Sequence, residues 1–404
     1  MIDVADVRAA QARLAGTLSE TPCPYSETLS ALTGARVFVK LENLQMSGSF
    51  KERGAANLLL QLGPEERGRG VVAASAGNHG LAVAFHAQRL GLAATIVMPE
   101  WAPLAKVTAA RRHGATVVLH GENFDEAYTR AREIEGASRL VFVHPFDDPR
   151  VIAGQGTIGL ELADEIAPDA ILVQTGGGGL IAGIAVAIKS RMPGAEVIGV
   201  EAAGSPQLSA SLAAGAPVSI SRPVDTIADG LATGRIGRLP FELIRDRVSR
   251  VVTVDDFEIG EAVLLMLERM KLLAEGAGAT ALAGALKIKA DLRGKRVVVL
   301  VSGGNIDINL LDRIIGHGLA KAGRLVRLSI NLHDRPGELQ KLLVLISETG
   351  ANVRTIEHDR TRRDIPIASV RVQLELETRS ADHIDTIRQR IEQSGYAITI
   401  EAAV

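Results

Sequence analysis

With 404 residues, 47% hydrophobic but only 3% aromatic, the chain is long enough for two or three domains and builds its core from Ala, Val, Leu and Ile. A formal net charge of −2 gives no basis for nucleic acid or an anionic membrane as partner, and Cys23 as single cysteine excludes an intrachain disulfide and a thiolate metal cluster. No apolar run reaches membrane-spanning length and no basic-then-apolar leader opens the chain, so the expected location is cytoplasmic.

From the N-terminus, the first segment that carries chemistry is Ser49-Phe50-Lys51, where a turn runs into the small residues Gly54, Ala55 and Ala56. A lysine at such a helix start sits among unpaired backbone N–H groups and partial positive charge. That setting favours the neutral amine and suits an anionic ligand, as a Schiff-base lysine requires. A solvated surface lysine is the bland alternative for this tripeptide alone. Next, Val71-Val72-Ala73 reads as a strand, Ser75-Ala76-Gly77-Asn78-His79-Gly80 as a tight turn, and residues 81–90 as a helix closed by Gly91. Strand, turn and helix N-terminus in that order make an anion cradle from backbone donors.

Residues 93–98, 115–119 and 140–143 read as strands, and 103–113 and 123–135 as helices, with Asn123 as an N-cap. The alternation resumes with a strand at 170–173, the run Gly176-Gly177-Gly178-Gly179, a helix at 181–189, and strands at 196–200 and 296–301. Consecutive glycines let a backbone close round a phosphate without Cβ clashes, although tight turns and close helix–sheet packing give the same run. Neither G-x-G-x-x-G nor G-x-x-x-x-G-K-[ST] is present. The pattern is that of an α/β protein with parallel sheets in two lobes and a cleft between them. The Gly-rich turns all follow strands, where open α/β sheets hold ligands.

The tail differs in kind. Residues 316–323 are small and Gly-rich and read as a linker. Beyond them, strands are expected at 325–332, 352–361, 365–376 and 397–401, with a charged loop between the middle two. Helices are expected at 338–349 and 380–394, each followed by glycine. The order βαββαβ is a ferredoxin-like module.

Ser49-Phe50-Lys51, Ser75-Ala76-Gly77-Asn78-His79, the four glycines and Val301-Ser302-Gly303-Gly304-Asn305 occur in one order over residues 1–320. Together they resemble the pyridoxal-phosphate enzymes of the tryptophan synthase β fold (fold type II), and within them the threonine/serine dehydratases. With Asp334-Arg335-Pro336-Gly337-Glu338-Leu339 and Gly350-Ala351-Asn352-Val353, residues 325–404 resemble an ACT domain. The resemblance implies a catalytic domain at 1–320, its smaller lobe at about 45–150, and a regulatory domain at 325–404. A dimerisation module without ligand is the other reading of the tail.

The resemblance implies that Lys51 carries pyridoxal 5'-phosphate and then acts as base at the substrate Cα, with Phe50 close by. Asn78 is expected to donate to the cofactor's phenolic oxygen, and Gly176, Gly177, Gly178, Gly179 and the Leu180 N–H to hold its phosphate. Ser75, Gly77, Asn78 and His79 are expected to bind the substrate carboxylate, with His79 not a general base. Gln174-Thr175 stands where relatives often carry Pro-Val, with an expected local effect only. Ser302 is expected to donate to an unprotonated ring nitrogen, giving a weaker electron sink than a carboxylate partner gives. Glu275 is either a cleft residue or a surface glutamate. Glu201 lies where some relatives bind a divalent cation, but with Ser205 and Gln207 as its partners no metal is expected.

The implied reaction is dehydration and deamination of L-threonine to 2-oxobutanoate and ammonia, with L-serine as a second substrate. Ala76, where related racemases place a hydroxyl, argues against racemisation. Serine dehydratase, 3-hydroxyaspartate dehydratase, amino-acid racemase and a non-enzymatic amino-acid sensor with a vestigial catalytic lobe are the alternatives. A homodimer or homotetramer is expected, with an amino-acid effector at the ACT-like domain.

Overall fold

The computed structural model describes residues 2–220, 224–361 and 364–401. It divides into two units, Met1–Asp307 and Ile308–Val404. Among the described residues, no helix is long and apolar enough to cross a membrane.

The aliphatic runs of the first unit become buried parallel strands. In chain order these are β1 (Arg36–Leu41), β2 (Val71–Ala74), β3 (Ala94–Met98), β4 (Thr116–Leu119), β5 (Val141–Phe142), β6 (Ala170–Gln174), β7 (Glu196–Ala202), β8 (Arg250–Val254) and β9 (Arg296–Val301). One lobe holds a sheet of order β4-β3-β2-β5, the other a sheet of order β1-β9-β6-β7-β8. Neighbours are parallel throughout both sheets. Val297 to Val301 are wholly buried, because helices cover both faces of β9. Burying each such side chain stabilises the fold by roughly 1.5–3 kcal/mol.

Beneath the lysine-bearing helix Lys51–Leu60 lies a buried ionic cluster. Arg53 reaches Glu42 at 2.7 Å and Glu161 at 2.5 Å, and Lys40 reaches Glu161 at 2.7 Å. Two cations face two anions, so the charges compensate where water cannot. The cluster anchors β1 and the lysine helix to the helix Pro149–Glu165.

The second unit contains β10 (Leu325–His333), β11 (Asn352–Asp359), β12 (Ser369–Glu377) and β13 (Ile398–Glu401), an antiparallel sheet of order β11-β12-β10-β13. Helices Glu338–Glu348 and Ala381–Gln393 complete the βαββαβ order. Alternate residues Val326, Leu328, Ile330 and Leu332 pack with Val370, Val372, Leu374 and Leu376 in its core.

Two expectations for the tail are corrected. The glycine-rich stretch expected as a linker lies mostly in the helix Ile308–Lys321, which Gly323 follows at φ +65°. Leu311, Ile314, Ile315 and Leu319 recur at helical spacing, and the stripe they form outweighs the roughly 1 kcal/mol cost of each helical glycine. The third strand of this unit begins at Ser369, not residue 365, because Pro366 cannot donate to the ladder. Arg362 and Arg363 of the charged loop lie outside the described residues.

Candidate active site

The C-terminal ends of β2, β6 and β9 converge on one cleft, and the loops that leave them form its walls. Ser302 O accepts from the Phe50 N–H at 2.9 Å, and Gly48 O from the Gly304 N–H at 3.0 Å. These bonds hold the lysine turn against the end of β9. Lys51 opens its helix, with Nζ donating to the Pro145 carbonyl at 2.9 Å and lying 5.2 Å from the Phe50 ring centre. That carbonyl is set by a turn in which His144 Nδ1 accepts from the Phe146 and Asp147 N–H groups at 3.2 and 2.8 Å. Burial pushes His144 down to about 4, so the ring stays neutral and able to accept.

Burial also pushes the Lys51 ammonium down to about 8, with the Glu275 carboxylate opposing it. A neutral amine is therefore accessible near physiological pH. Glu275 is the N-cap of the helix Gly276–Lys287 and is 5% exposed. Burial, then Asp229, raises it to about 7, while a hydrogen bond from Asn78 opposes the rise. Glu275 is thus a cleft residue and not a surface glutamate. Asn78 Nδ2 donates to Glu275 Oε1 at 2.5 Å, and Asn305 Nδ2 donates to Asn78 Oδ1 at 2.9 Å. The Asn78 amide, expected to serve a ligand oxygen, is engaged with Glu275 in this structure.

The second wall starts at Ser75. The helix begins at Asn78, earlier than expected, so Asn78 and His79 occupy its first turn and Gly77 caps it. Ser75, Ala76, Gly77, Asn78 and His79 all line the cleft. His79 Nε2 lies 2.8 Å from the Val143 carbonyl oxygen, and burial followed by Lys51 pushes its pKa down to about 3. The ring is too weak a base to hold a proton at neutral pH.

The third wall is the glycine run. Gly178 has φ +88°, and a Cβ there would meet Pro240 Cβ at 2.9 Å, so only glycine turns this corner without strain. Gly179 opens the helix Gly179–Arg191, placing the Leu180 N–H in its first turn. Ser302, 2% exposed, faces the same space from the end of β9. Gln174, the last residue of β6, reaches it. The Gln174 carboxamide is oriented by its backbone neighbours. Those neighbours assign it: with the amide nitrogen turned to Leu300 O at 3.3 Å, the amide oxygen accepts from the Ser302 N–H at 3.1 Å and faces Ser302 Oγ at 2.5 Å.

The walls enclose about 360 Å³, lined by every site residue expected from the sequence. Several lining residues carried no sequence signal. The Pro145 carbonyl and Phe146 lie after β5, and Gln155 lies on a helix 104 positions after Lys51. Lys106 and Asp229 pair at 2.7 Å across the cleft mouth. Only Gln174 could have been found, as a departure from the expected motif. Away from the cleft, Glu201 accepts from the Leu208 and Ser209 N–H groups and from Ser209 Oγ, while Ser205 Oγ donates to Gln207 Oε1. Among the described residues, no cluster of His, Cys, Asp and Glu is suited to a metal ion.

A buried lysine amine facing a glycine-built anion cradle at the strand ends defines a class of enzyme. The chain belongs to the pyridoxal-phosphate dependent enzyme family, whose model matches residues 14–303. An L-threonine ammonia-lyase of Thermotoga maritima is 47% identical over 403 residues, 99% of this chain and 100% of the relative. Solved structures similar to it include threonine deaminase isoform 2 from Solanum lycopersicum, at TM-score 0.73 and 36% identity over 78% of this chain and 93% of its own. Maize serine racemase gives TM-score 0.74 and 34% identity over 79% and 98%. The residues present fit the cofactor. His79 Nδ1 and Gln155 Oε1, on residues that line the cleft, are buried without partners, and a Cβ on Gly177 or Gly179 would run into Phe146. Polar groups left open beside a side-chain-free cradle suit a phosphorylated, polar guest.

Proposed function

We propose that this chain is an L-threonine ammonia-lyase that eliminates water from L-threonine and, once the resulting enamine has become an imine and taken up water again, releases 2-oxobutanoate and ammonia, with L-serine as a secondary substrate. The observation that carries the reading is Lys51, whose Nζ donates to the Pro145 carbonyl at 2.9 Å in a cleft where Ala76 of the Ser75–His79 wall carries no acid–base group. Bound pyridoxal phosphate supplies an electrophilic carbon for the amine and an electron sink that acidifies the substrate Cα–H. Lys51 Nζ is the base that takes the Cα proton, with the Pro145 carbonyl holding that nitrogen in place beforehand. Gly176, Gly177, Gly178, Gly179 and Leu180 would hold the phosphate through backbone N–H groups. Ser75, Gly77, Asn78 and His79 would hold the substrate carboxylate, leaving the β-hydroxyl free to depart.

Racemisation needs a second acid–base group opposite the lysine. Ala76 has none to offer, although structural relatives include a serine racemase. Keto-acid release from L-threonine, with L-serine and L-threo-3-hydroxyaspartate as competitors, tests the reading. Highest kcat/KM on threonine is expected. Higher turnover of another hydroxy amino acid renames the enzyme, and no release from any of the three removes the function.

The βαββαβ unit is read as an ACT-like regulatory domain, on its topology and its Gly337 and Gly350 turns. A branched-chain amino acid such as isoleucine or valine is the proposed effector, with isoleucine biosynthesis as the proposed setting. The coupling requires different affinities for two states of the protein. Deleting residues 325–404 should abolish the isoleucine response, and a retained response assigns sensing elsewhere. A cytoplasmic homo-oligomer is the expected form, since closed symmetry is the rule for soluble assemblies.

A further inference from the structure

Behind the cleft wall formed by residues 229–233 lies a buried polar network. Glu201 ends β7, and Ser205 and Gln207 lead into the helix Gln207–Ala214; all three are 0% exposed. Gln207 Nε2 donates to Leu231 O at 3.1 Å and to Thr233 Oγ1 at 3.2 Å, while Gln207 Oε1 accepts from Ser205 Oγ at 2.5 Å. The Leu231 carbonyl can only accept, so the amide nitrogen must face it and the carboxamide has one orientation. Asp229, Leu231 and Thr233 all line the cleft. On that side the Leu231 backbone stands against the glycine run, where a Cβ on Gly176 would meet Leu231 Cα at 2.9 Å and its oxygen at 3.1 Å. One amide thus ties the back of the wall at two points, and the front of the wall rests on the first glycine of the run.

The divalent cation that the family resemblance implies beside Glu201 does not fit the residues present. A hard cation binds through oxygens. Gln207 turns N–H donors toward Leu231 O and Thr233 Oγ1, and its own oxygen is taken by Ser205. Glu201 already accepts from the Leu208 and Ser209 N–H groups and from Ser209 Oγ. We infer that Gln207 is a positioning residue, whose carboxamide fixes residues 229–233 against Gly176 and so sets the glycine run, on the reading that this run holds the cofactor phosphate. The same wall carries Asp229, which pairs with Lys106 at 2.7 Å across the cleft mouth. Removing the amide strands none of its partners. Leu231 O keeps the Thr233 N–H at 2.8 Å, Thr233 Oγ1 donates to Arg235 O at 3.1 Å, and Ser205 Oγ lies 3.1 Å from Leu231 O. The fold therefore tolerates the loss, and what disappears is the fixed place of the wall.

The test is ³¹P NMR of the holoenzyme, with the cofactor dissociation constant and the denaturation midpoint measured beside it, for the native protein, Gln207→Leu and Gln207→Glu. Gln207→Glu keeps the oxygen that faces Ser205 and replaces only the donor. Both variants should move the phosphate resonance and raise the dissociation constant roughly 3- to 10-fold, as the net loss of about one hydrogen bond does. The Gln207→Leu midpoint should stay close to native. In the native protein, chelator followed by Mg²⁺ should change neither the resonance nor the affinity. A native resonance and native affinity in both variants overturn the inference, and so does a lowered midpoint with an unmoved resonance, which is scaffolding alone. Native affinity that falls on chelation and returns with Mg²⁺ gives the wall to a cation in place of Gln207. Should Gln207→Leu not fold, Gln207→Glu decides on the same readings. If Gly178→Ala also leaves the phosphate resonance where it was, the glycine run is not the phosphate site and the premise fails separately.

Discussion

Asn78 Nδ2 donates to Glu275 Oε1 at 2.5 Å, joining the first turn of a helix in the smaller lobe to the N-cap of a helix in the larger one. The bond crosses the cleft beside Lys51 and couples three titrating or polar groups. Glu275, partly ionised at about 7, supports the charged form of Lys51. In Glu275→Gln that support is gone, so the Lys51 pKa falls below about 8 and the neutral amine is available at lower pH. The rate at which apoprotein takes up pyridoxal phosphate should therefore reach its plateau at lower pH in the variant. An unshifted profile would show that Glu275 does not sense Lys51.

Lys51→Ala should lower kcat for threonine by at least about 10⁴-fold, since the proposed base and the proposed cofactor tether are lost together. The same variant reports on linkage. Lys51 has a folded pKa of about 8 against 10.5 for the ordinary amine, so between those values the unfolded chain binds more protons. Native apoprotein should thus gain stability relative to Lys51→Ala as pH rises from 8 to 10.5. Parallel denaturation curves across that window would contradict the lowered pKa.

Gly178→Ala forces a side chain into left-handed backbone and to within 2.9 Å of Pro240 Cβ and 3.0 Å of Ile236 Cγ1. The backbone term alone costs about 1–2 kcal/mol, and crowding adds to it. A lower Tm should come with weaker retention of cofactor on dialysis, because the displaced loop is the proposed phosphate cradle. Lost stability with unchanged retention would remove the glycine run from the phosphate site.

Arg53→Met strands Glu42, which is fully buried, and unbalances Glu161. Breaking such a pair from one side costs about 3–5 kcal/mol, and the double variant Arg53→Met with Glu42→Gln should recover part of it. Chemical denaturation of the three proteins measures both terms. A single variant as stable as the native protein would mean that water reaches the cluster.

Much of the site was legible because its chemistry is local. Ser49-Phe50-Lys51, the Ser75–His79 turn, the glycine run and Ser302 each sit at the junction of a strand and a helix or a turn. Such junctions are written in short motifs. The tail was read less well at its joints, where the helical stripe around Ile314 outweighed Gly316 and Gly318, and Pro366 delayed a strand. Those outcomes turn on packing and ladder partners that a window of residues does not contain.

The composition and the order of motifs determined the α/β lobes, the place of the lysine and the glycine run, and the family, since backbone conformation and covalent reactivity belong to single segments. Only the tertiary structure decided that Glu275 is buried against Asn78 and that the Pro145 carbonyl receives Lys51 Nζ. Asn78 and Glu275 are 197 positions apart, and Lys51 and Pro145 are 94. Protonation follows from burial and from neighbours brought together by folding, and neither is a property of the residue's place in the chain.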